Sequence, residues 1–352
     1  MKKGLTRNER EVLFGLVKYP TLNDRELSEK TSVKHSTITA IRRRLHQAGY
    51  FKTVRIPAVN RLGYELTVVG YGRYNPSASE DLKRQFVEAM AKENRGLYYF
   101  LNSPDFFFFI SASKNYTSFR RWAEAIEYDF AETKLFVNSD RTYVVLPFEI
   151  TKQLRHFDYS RTLSLPFGIK EKITLDAPFQ KVDSRKLTKK ERSVFAGLVE
   201  YPELTDVALS EKIDASRQVI SSMKKRFERS GFVKTIRVVD LRMLGYEIYG
   251  FVHVMFDPKA PLKMRSEGIM RLARSAPMFF NLSGNTETVF CCAFRNYDEY
   301  FRIRKDIMSF YARREFIRGE PRVELIALSE AEILVNCDFS NLAREAASNL
   351  PK

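Results

Sequence analysis

Lys34, His35, Ser36, Thr39, Arg42 and Arg43 form one set of short polar and cationic side chains at helical spacing, and Ser216, Arg217, Gln218, Ser221, Ser222, Lys224 and Lys225 form a second. Each set lies opposite an apolar stripe, Ile38, Ile41 and Leu45 in the first and Ile220, Met223 and Phe227 in the second. Small hydroxyls let a helix approach base edges, Arg and Gln make bidentate contacts to guanine or adenine, and trailing cations meet phosphates. A single run such as Arg42-Arg43-Arg44 is more often a solvated surface. Its recurrence as Lys224-Lys225-Arg226 favours a polyanionic partner. The segments that follow add Lys52 and Arg55, then Lys234 and Arg237.

Other chemistries are poorly served. Cys291 and Cys292 are adjacent and Cys337 is distant, which offers neither a disulfide framework nor a CxxC pair. His35 and His46 lack a Cys or carboxylate at ligand spacing, and their counterparts Arg217 and Glu228 are not a metal pair, so no metal and no cofactor is expected. There is no apolar run of membrane-spanning length, and Met1-Lys2-Lys3 leads into a polar segment instead of a signal-peptide core. A cytoplasmic protein without a membrane partner is expected.

The elements that must carry these residues come from an internal repeat. Leu5 to Pro76 aligns without a gap on Leu187 to Pro258, with 27 of 72 positions identical. Lys114-Asn115-Tyr116 then matches Arg295-Asn296-Tyr297 after a one-residue change of register. The net charge of +16 is concentrated accordingly: residues 1–65 hold 14 cations and 6 anions, and residues 181–247 hold 15 and 10.

Capping boxes at Thr6 with Glu9, Asn23 with Glu26 and Thr188 with Glu191 open helices. A third helix runs from about Lys34 to Ala48, Gly49 stops it, and Tyr50 to Ile56 alternates like a strand. Three helices and a basic hairpin make a winged helix-turn-helix. The next part reads β-α-β-β-α-β: strand 65–75, helix Ser79 to Asn94, strands Leu97 to Leu101 and Phe106 to Ser111, helix Ser118 to Phe130, strand Thr142 to Ile150. The second copy repeats the order from Glu247 to Leu328.

The expected fold class is α+β, with two winged helix-turn-helix domains (1–64 and 187–246) alternating with two ferredoxin-like domains (65–152 and 247–340). A connector (153–186) and a C-terminal tail (341–352) complete the chain. Continuous apolar strands are usually covered on both faces, so Phe106 to Phe109 is expected in the interior, with helices on one side and another sheet on the other, instead of stacking on RNA bases.

This organisation resembles the Lrp/AsnC (leucine-responsive, feast/famine) regulators. The likeness rests on Leu27-Ser28-Glu29-Lys30, a third helix ending at Gly49, and Leu62-Gly63-Tyr64, with their partners Leu209 to Lys212, Gly231 and Leu244-Gly245-Tyr246. It covers most of the chain, twice, as a tandem duplication of the winged helix-turn-helix plus RAM-like module. The resemblance implies a sequence-specific, double-stranded-DNA-binding transcription regulator, one chain acting as a pseudo-dimer. Its two reading helices are not identical, because Arg217-Gln218 stands where the first copy has His35-Ser36.

The resemblance further implies a homodimer or higher oligomer through the RAM-like domains. It also implies a small-molecule effector, such as an amino acid, held near Ser103 and Asp105 in one copy and Gly284, Asn285 and Glu287 in the other. On this reading the chain is not an enzyme. One alternative is a siroheme-decarboxylase-like tetrapyrrole enzyme, which needs imidazole or cationic groups in the α+β part, where His156 and His253 are the available histidines. The other is an architectural DNA- or RNA-binding protein.

Overall fold

The computed structural model describes residues 4–171, 173, 187–312 and 316–349. The first copy opens with α1 (Arg7–Lys18), α2 (Asp24–Lys30) and α3 (His35–Gln47), and all three expected capping boxes are formed. Val12, Leu13 and Leu16 on α1, Leu27 on α2, and Ile38, Ile41 and Leu45 on α3 are buried where the three helices pack. Gly49 takes a left-handed conformation (φ +80°) just past α3, which a Cβ would penalise, so the chain turns there into β1 (Phe51–Pro57).

After β1 come β2 (Leu66–Tyr74), α4 (Glu80–Glu93), β3 (Leu97–Asn102), β4 (Phe106–Ser113), α5 (Tyr116–Asp129) and β5 (Phe136–Pro147). Two further elements follow, β6 (Lys152–His156) and α6 (Ser160–Phe167). The second copy gives α7 (Lys189–Glu200), α8 (Asp206–Ser210), α9 (Arg217–Arg229), β7 (Val233–Val239), β8 (Ile248–Met255), α10 (Leu262–Ser275), β9 (Met278–Ser283), β10 (Glu287–Phe294), α11 (Tyr297–Ala312), β11 (Arg322–Ala327), β12 (Glu332–Asn336) and α12 (Ser340–Asn349). β1 pairs with β7 in a two-stranded ribbon, so the basic hairpin expected within each copy is not formed there: each copy contributes one strand.

Two five-stranded antiparallel sheets carry the rest. Their orders are β12-β3-β4-β2-β5 and β11-β8-β10-β9-β6, so each contains the four strands of one copy in an order consistent with a ferredoxin-type domain. The fifth strand comes from the other copy in each case. β6, which follows the first copy's sheet in sequence, pairs with β9 through Gln153 opposite Leu282, and β12 pairs with β3 through Ile333 opposite Leu101. A four-stranded ferredoxin-type sheet has two edges with unpaired backbone groups, and the donated strand satisfies those of the β3 or β9 edge.

The residues expected as connector and tail therefore carry ordered elements. Residues 172 and 174–186 of the connector and 350–352 of the tail lie outside the described residues. The connector holds β6 and α6 and the tail most of α12; the periodic signal is weak in the connector because β6 is only five residues long and partly buried.

The chain divides into two units. One consists of Met1–Thr53, Thr151–Pro178 and Thr235–Ser329, which sets α1 to α3 with the second copy's sheet. In it α6 packs on both α1 and β9. The other consists of Val54–Ile150, Phe179–Lys234 and Glu330–Lys352, which sets α7 to α9 with the first copy's sheet, and there α12 packs on α7.

Phe106 to Phe109 are all buried, as expected from the continuous run. Phe107 and Phe109 join Phe86, Met90, Ile126 and Phe130 in the core under α4 and α5. Phe106 and Phe108, on the opposite face of β4, lie beside Tyr71 and Tyr99 at ring distances of 6.3 and 5.4 Å. None of these rings is presented to a nucleobase. The turn into β3 is equally tight: a Cβ on Gly96 would run into the carbonyl oxygen of Ala112, a backbone atom that cannot swing aside. Gly96→Ala is expected to cost about 3 kcal/mol by overpacking and to lower the urea midpoint of this unit accordingly.

Candidate nucleic-acid interface

Helix α3 turns Lys34, His35, Ser36, Thr39 and Arg43 outward, and α9 does the same with Ser216, Arg217, Gln218, Ser222 and Lys225; Ser221 is half-buried. The apolar stripe keeps each helix seated, so this face is held open by packing that is independent of its polar residues. Both helices begin without a side-chain cap, leaving first-turn amides available to an anion.

The cation runs divide in the same way in both copies. Arg42 is paired with Asp24 on α2 at 2.8 Å and donates to the Leu22 carbonyl at 3.3 Å. Lys224 is paired with Asp206 on α8 at 3.4 Å. Arg44 reaches Glu9 on α1 at 2.6 Å, and Arg226 meets Glu191 on α7. Burial raises the Glu9 carboxyl, but hydrogen bonds from Thr6 and the Arg44 guanidinium outweigh it and hold the group below the ordinary carboxylate range. The outer members of each triplet are therefore fasteners between helices. Only the central ones, Arg43 and Lys225, are exposed and make no ion pair among the described residues.

Several residues expected at the interface are engaged elsewhere. Thr39 is exposed, yet its hydroxyl donates to Asp24 at 2.7 Å. Arg55 is only 5% exposed and donates to the Leu198 carbonyl at 2.9 Å, so it faces the interior and not a phosphate. Arg237 is half-buried, bonded to the Thr53 hydroxyl and the Pro20 carbonyl and lying 5.6 Å over the Phe51 ring. Strand geometry explains this: residues three apart point to opposite faces, so Lys52 and Arg55, like Lys234 and Arg237, cannot both face outward. Lys52 and Lys234 are the exposed members.

The expected effector loops are tied up by their own bonds. Ser103 is buried, donates to the Phe106 carbonyl at 2.8 Å and accepts from its amide at 3.1 Å, while Asp105 is exposed. In the other copy Arg265, itself buried, donates to the Asn285 carbonyl and to those of Asp257, Pro258 and Ala260. Glu287 holds His253 at 2.9 Å, and Gly284 is half-exposed. The loops are thus turns closed on themselves, with Asp105 and the Asn285 side chain the most exposed of the five. Sequence reading missed the Asp24, Asp206, Glu9 and Glu191 anchors. Their signal was present, since both acids recur unchanged in the two copies.

The described residues contain no group of three or more His, Cys, Asp or Glu placed to hold a metal ion, and no helix long and apolar enough to cross a membrane. All three cysteines are buried, and desolvation pushes the Cys291 thiol up to about 12 despite a hydrogen bond with Tyr249, which leaves it inert as a nucleophile.

The fold is α+β with antiparallel sheets, and it is shared along its full length with a solved structure. The chain superimposes on the siroheme decarboxylase NirDL with a TM-score of 0.53 at 11% identity, covering 97% of this chain and 99% of that one. NirDL in co-complex with an iron-uroporphyrin III analogue gives 0.52 at 12%, covering 98% and 100%. E. coli AsnC overlaps 40% of this chain and 93% of its own, with a TM-score of 0.33 at 12% identity. No family model matches the chain, and no curated protein matches it in sequence. At these identities the likeness is one of fold. It nevertheless overturns the expectation that the chain is not an enzyme, because a protein of this architecture from end to end is a decarboxylase.

Proposed function

We propose that the chain is a sequence-specific double-stranded-DNA-binding regulator. Two helix-turn-helix units, α1 to α3 and α7 to α9, with the ribbon strands β1 and β7 as wing, supply two unlike reading helices. One observation carries this reading: in both copies the outer face of the third helix keeps an exposed central cation among short polar side chains, while its neighbouring cations fasten the helix in place. Arg43 and Lys225 meet phosphates, and His35-Ser36 and Arg217-Gln218 at the helix starts read bases. Lys52 and Lys234 add backbone contacts from the strands.

Selection of binding sites from random duplexes tests the proposal. The expected product is a site with two dissimilar halves, bound at least about a thousandfold more tightly than random duplex. A strict palindrome, or equal affinity for every duplex, would rule it out.

The full-length likeness to NirDL favours a second reading, action on a siroheme-like tetrapyrrole. His253 lies on the sheet face opposite Val252 and Val254, is 8% exposed, and is held by Glu287. An imidazole so oriented is equipped to deliver a proton after loss of carbon dioxide. Titration with siroheme separates the two: a shifted absorption band that His253→Ala removes, with no duplex binding, would replace the first reading.

A further inference from the structure

An apolar cavity of about 100 Å³ lies in the unit that contains the second copy's sheet, between β8, β10 and β11 on one side and α10 and α11 on the other. Val252, Phe290, Ile303, Ile307, Met308 and Val323 form much of its wall. In the other unit aromatic rings stand at the corresponding positions. There Trp122 meets Phe109 edge-on at 5.6 Å, and Tyr143 packs on Phe119 at 5.4 Å and on Phe109 at 6.4 Å.

The repeat explains the difference. In the register that matches Asn115 to Asn296, Trp122 corresponds to Ile303 and Ala123 to Arg304. Tyr143 stands opposite Gly70 in its sheet, and Val323 stands opposite Val252, the counterpart of Gly70. Two large rings have thus become aliphatic. Ala123 is fully buried, whereas Arg304 is exposed at the cavity mouth with no hydrogen bond or ion pair among the described residues. Glu320, also exposed, stands on the same rim.

We propose that this cavity binds a small aliphatic monocarboxylic acid, its branched tail inside and its carboxylate on Arg304. A cavity of about 150 Å³ with an apolar lining stays dry and admits benzene, so this smaller one suits a chain of about four or five carbons. The guanidinium fork matches a carboxylate in bidentate geometry, and Glu320 disfavours a ligand with a second negative charge.

Isocaproate titrated into the full chain by calorimetry is the test, with isocaproamide as the uncharged twin. One acid per chain should bind, the amide about tenfold more weakly. Arg304→Gln should bring the acid down to the level of the amide, and Glu320→Gln should strengthen it. Ile303→Trp with Val323→Tyr, which restores the first copy's filling, should abolish binding. Thermal unfolding checks that this double variant is folded, and Ile303→Phe alone serves if it is not. No binding at about 10 mM acid, equal binding of acid and amide, or unchanged binding in the filled variants overturns the proposal.

Discussion

Changing Arg43 and Lys225 together to Glu lowers affinity for duplex DNA by about a hundredfold or more near physiological salt, with the melting temperature unchanged. Each replaces an exposed cation that makes no ion pair among the described residues, so the cost falls on the polyanion and not on the fold. The milder pair Arg43→Gln and Lys225→Gln makes the mechanism visible, since the slope of log affinity against log salt should fall by about one for each phosphate no longer neutralised. Arg42→Ala gives the opposite pattern. It releases Asp24, with the two side chains 29% and 16% exposed, and should cost about 0.5–1 kcal/mol of stability with little change in salt slope. Fluorescence anisotropy across a salt series, beside thermal melts, reads both. If the Glu double variant grips duplex as the parent does, α3 and α9 are not the contact surfaces.

Lys18→Met is expected to be strongly destabilising. Lys18 on α1 reaches Glu171 at 2.8 Å, and the Glu171 side chain is fully buried. It also accepts from the hydroxyls of Ser160 at 2.6 Å and Ser164 at 3.0 Å. Removing the ammonium leaves a buried carboxylate facing Arg155 at 3.6 Å, a cation already shared with Asp158 at 2.7 Å. The loss should be about 3 kcal/mol, the low end for breaking a buried pair because Arg155 still compensates in part. Adding Glu171→Gln should recover most of it.

The counterpart position behaves differently. Glu200 on α7 pairs with Arg344 on α12 at 2.9 Å, but Arg344 is 57% exposed, so Arg344→Ala should cost about 0–1 kcal/mol. The polarity of the two pairs is also reversed. An exchange of partners would set Lys18 against Arg344 and Glu200 against Glu171, like charge on like, which favours the observed pairing of each helix with its own segment.

Acid should weaken the first of these contacts. Burial raises the Glu171 carboxyl, yet the Lys18 and Ser160 hydrogen bonds and the Arg155 charge together hold it below its ordinary value of 4.5. A carboxyl depressed in the folded state adds stability above its unfolded value, and that stability is lost as pH falls through the folded one. Urea midpoints should therefore drop below about pH 4.5. Glu171→Gln should flatten the drop. An unchanged pH dependence in that variant would show that the cluster does not govern acid stability.

Local features were legible from residue order alone. The capping boxes, the helix stop at Gly49, the β-α-β-β-α-β order and the burial of Phe106 to Phe109 each depend on spacing within one element or on the composition of one strand. The duplication made the third helices conspicuous, and their exposed faces contain most of the side chains expected there. That Arg55 and Arg237 face opposite to Lys52 and Lys234 was also available from strand parity; which of the two faces is inward was not.

Pairings between distant segments needed the folded chain. That β6 joins β9 and β12 joins β3 follows from which open edge each short strand can reach, and five residues carry no record of a partner more than a hundred positions away. The division of Arg42-Arg43-Arg44 into two fasteners and one outward-facing cation likewise follows from where α1 and α2 place Glu9 and Asp24. Charge count reports how much attraction a surface holds; only the packing of helices decides which of those charges is already spent.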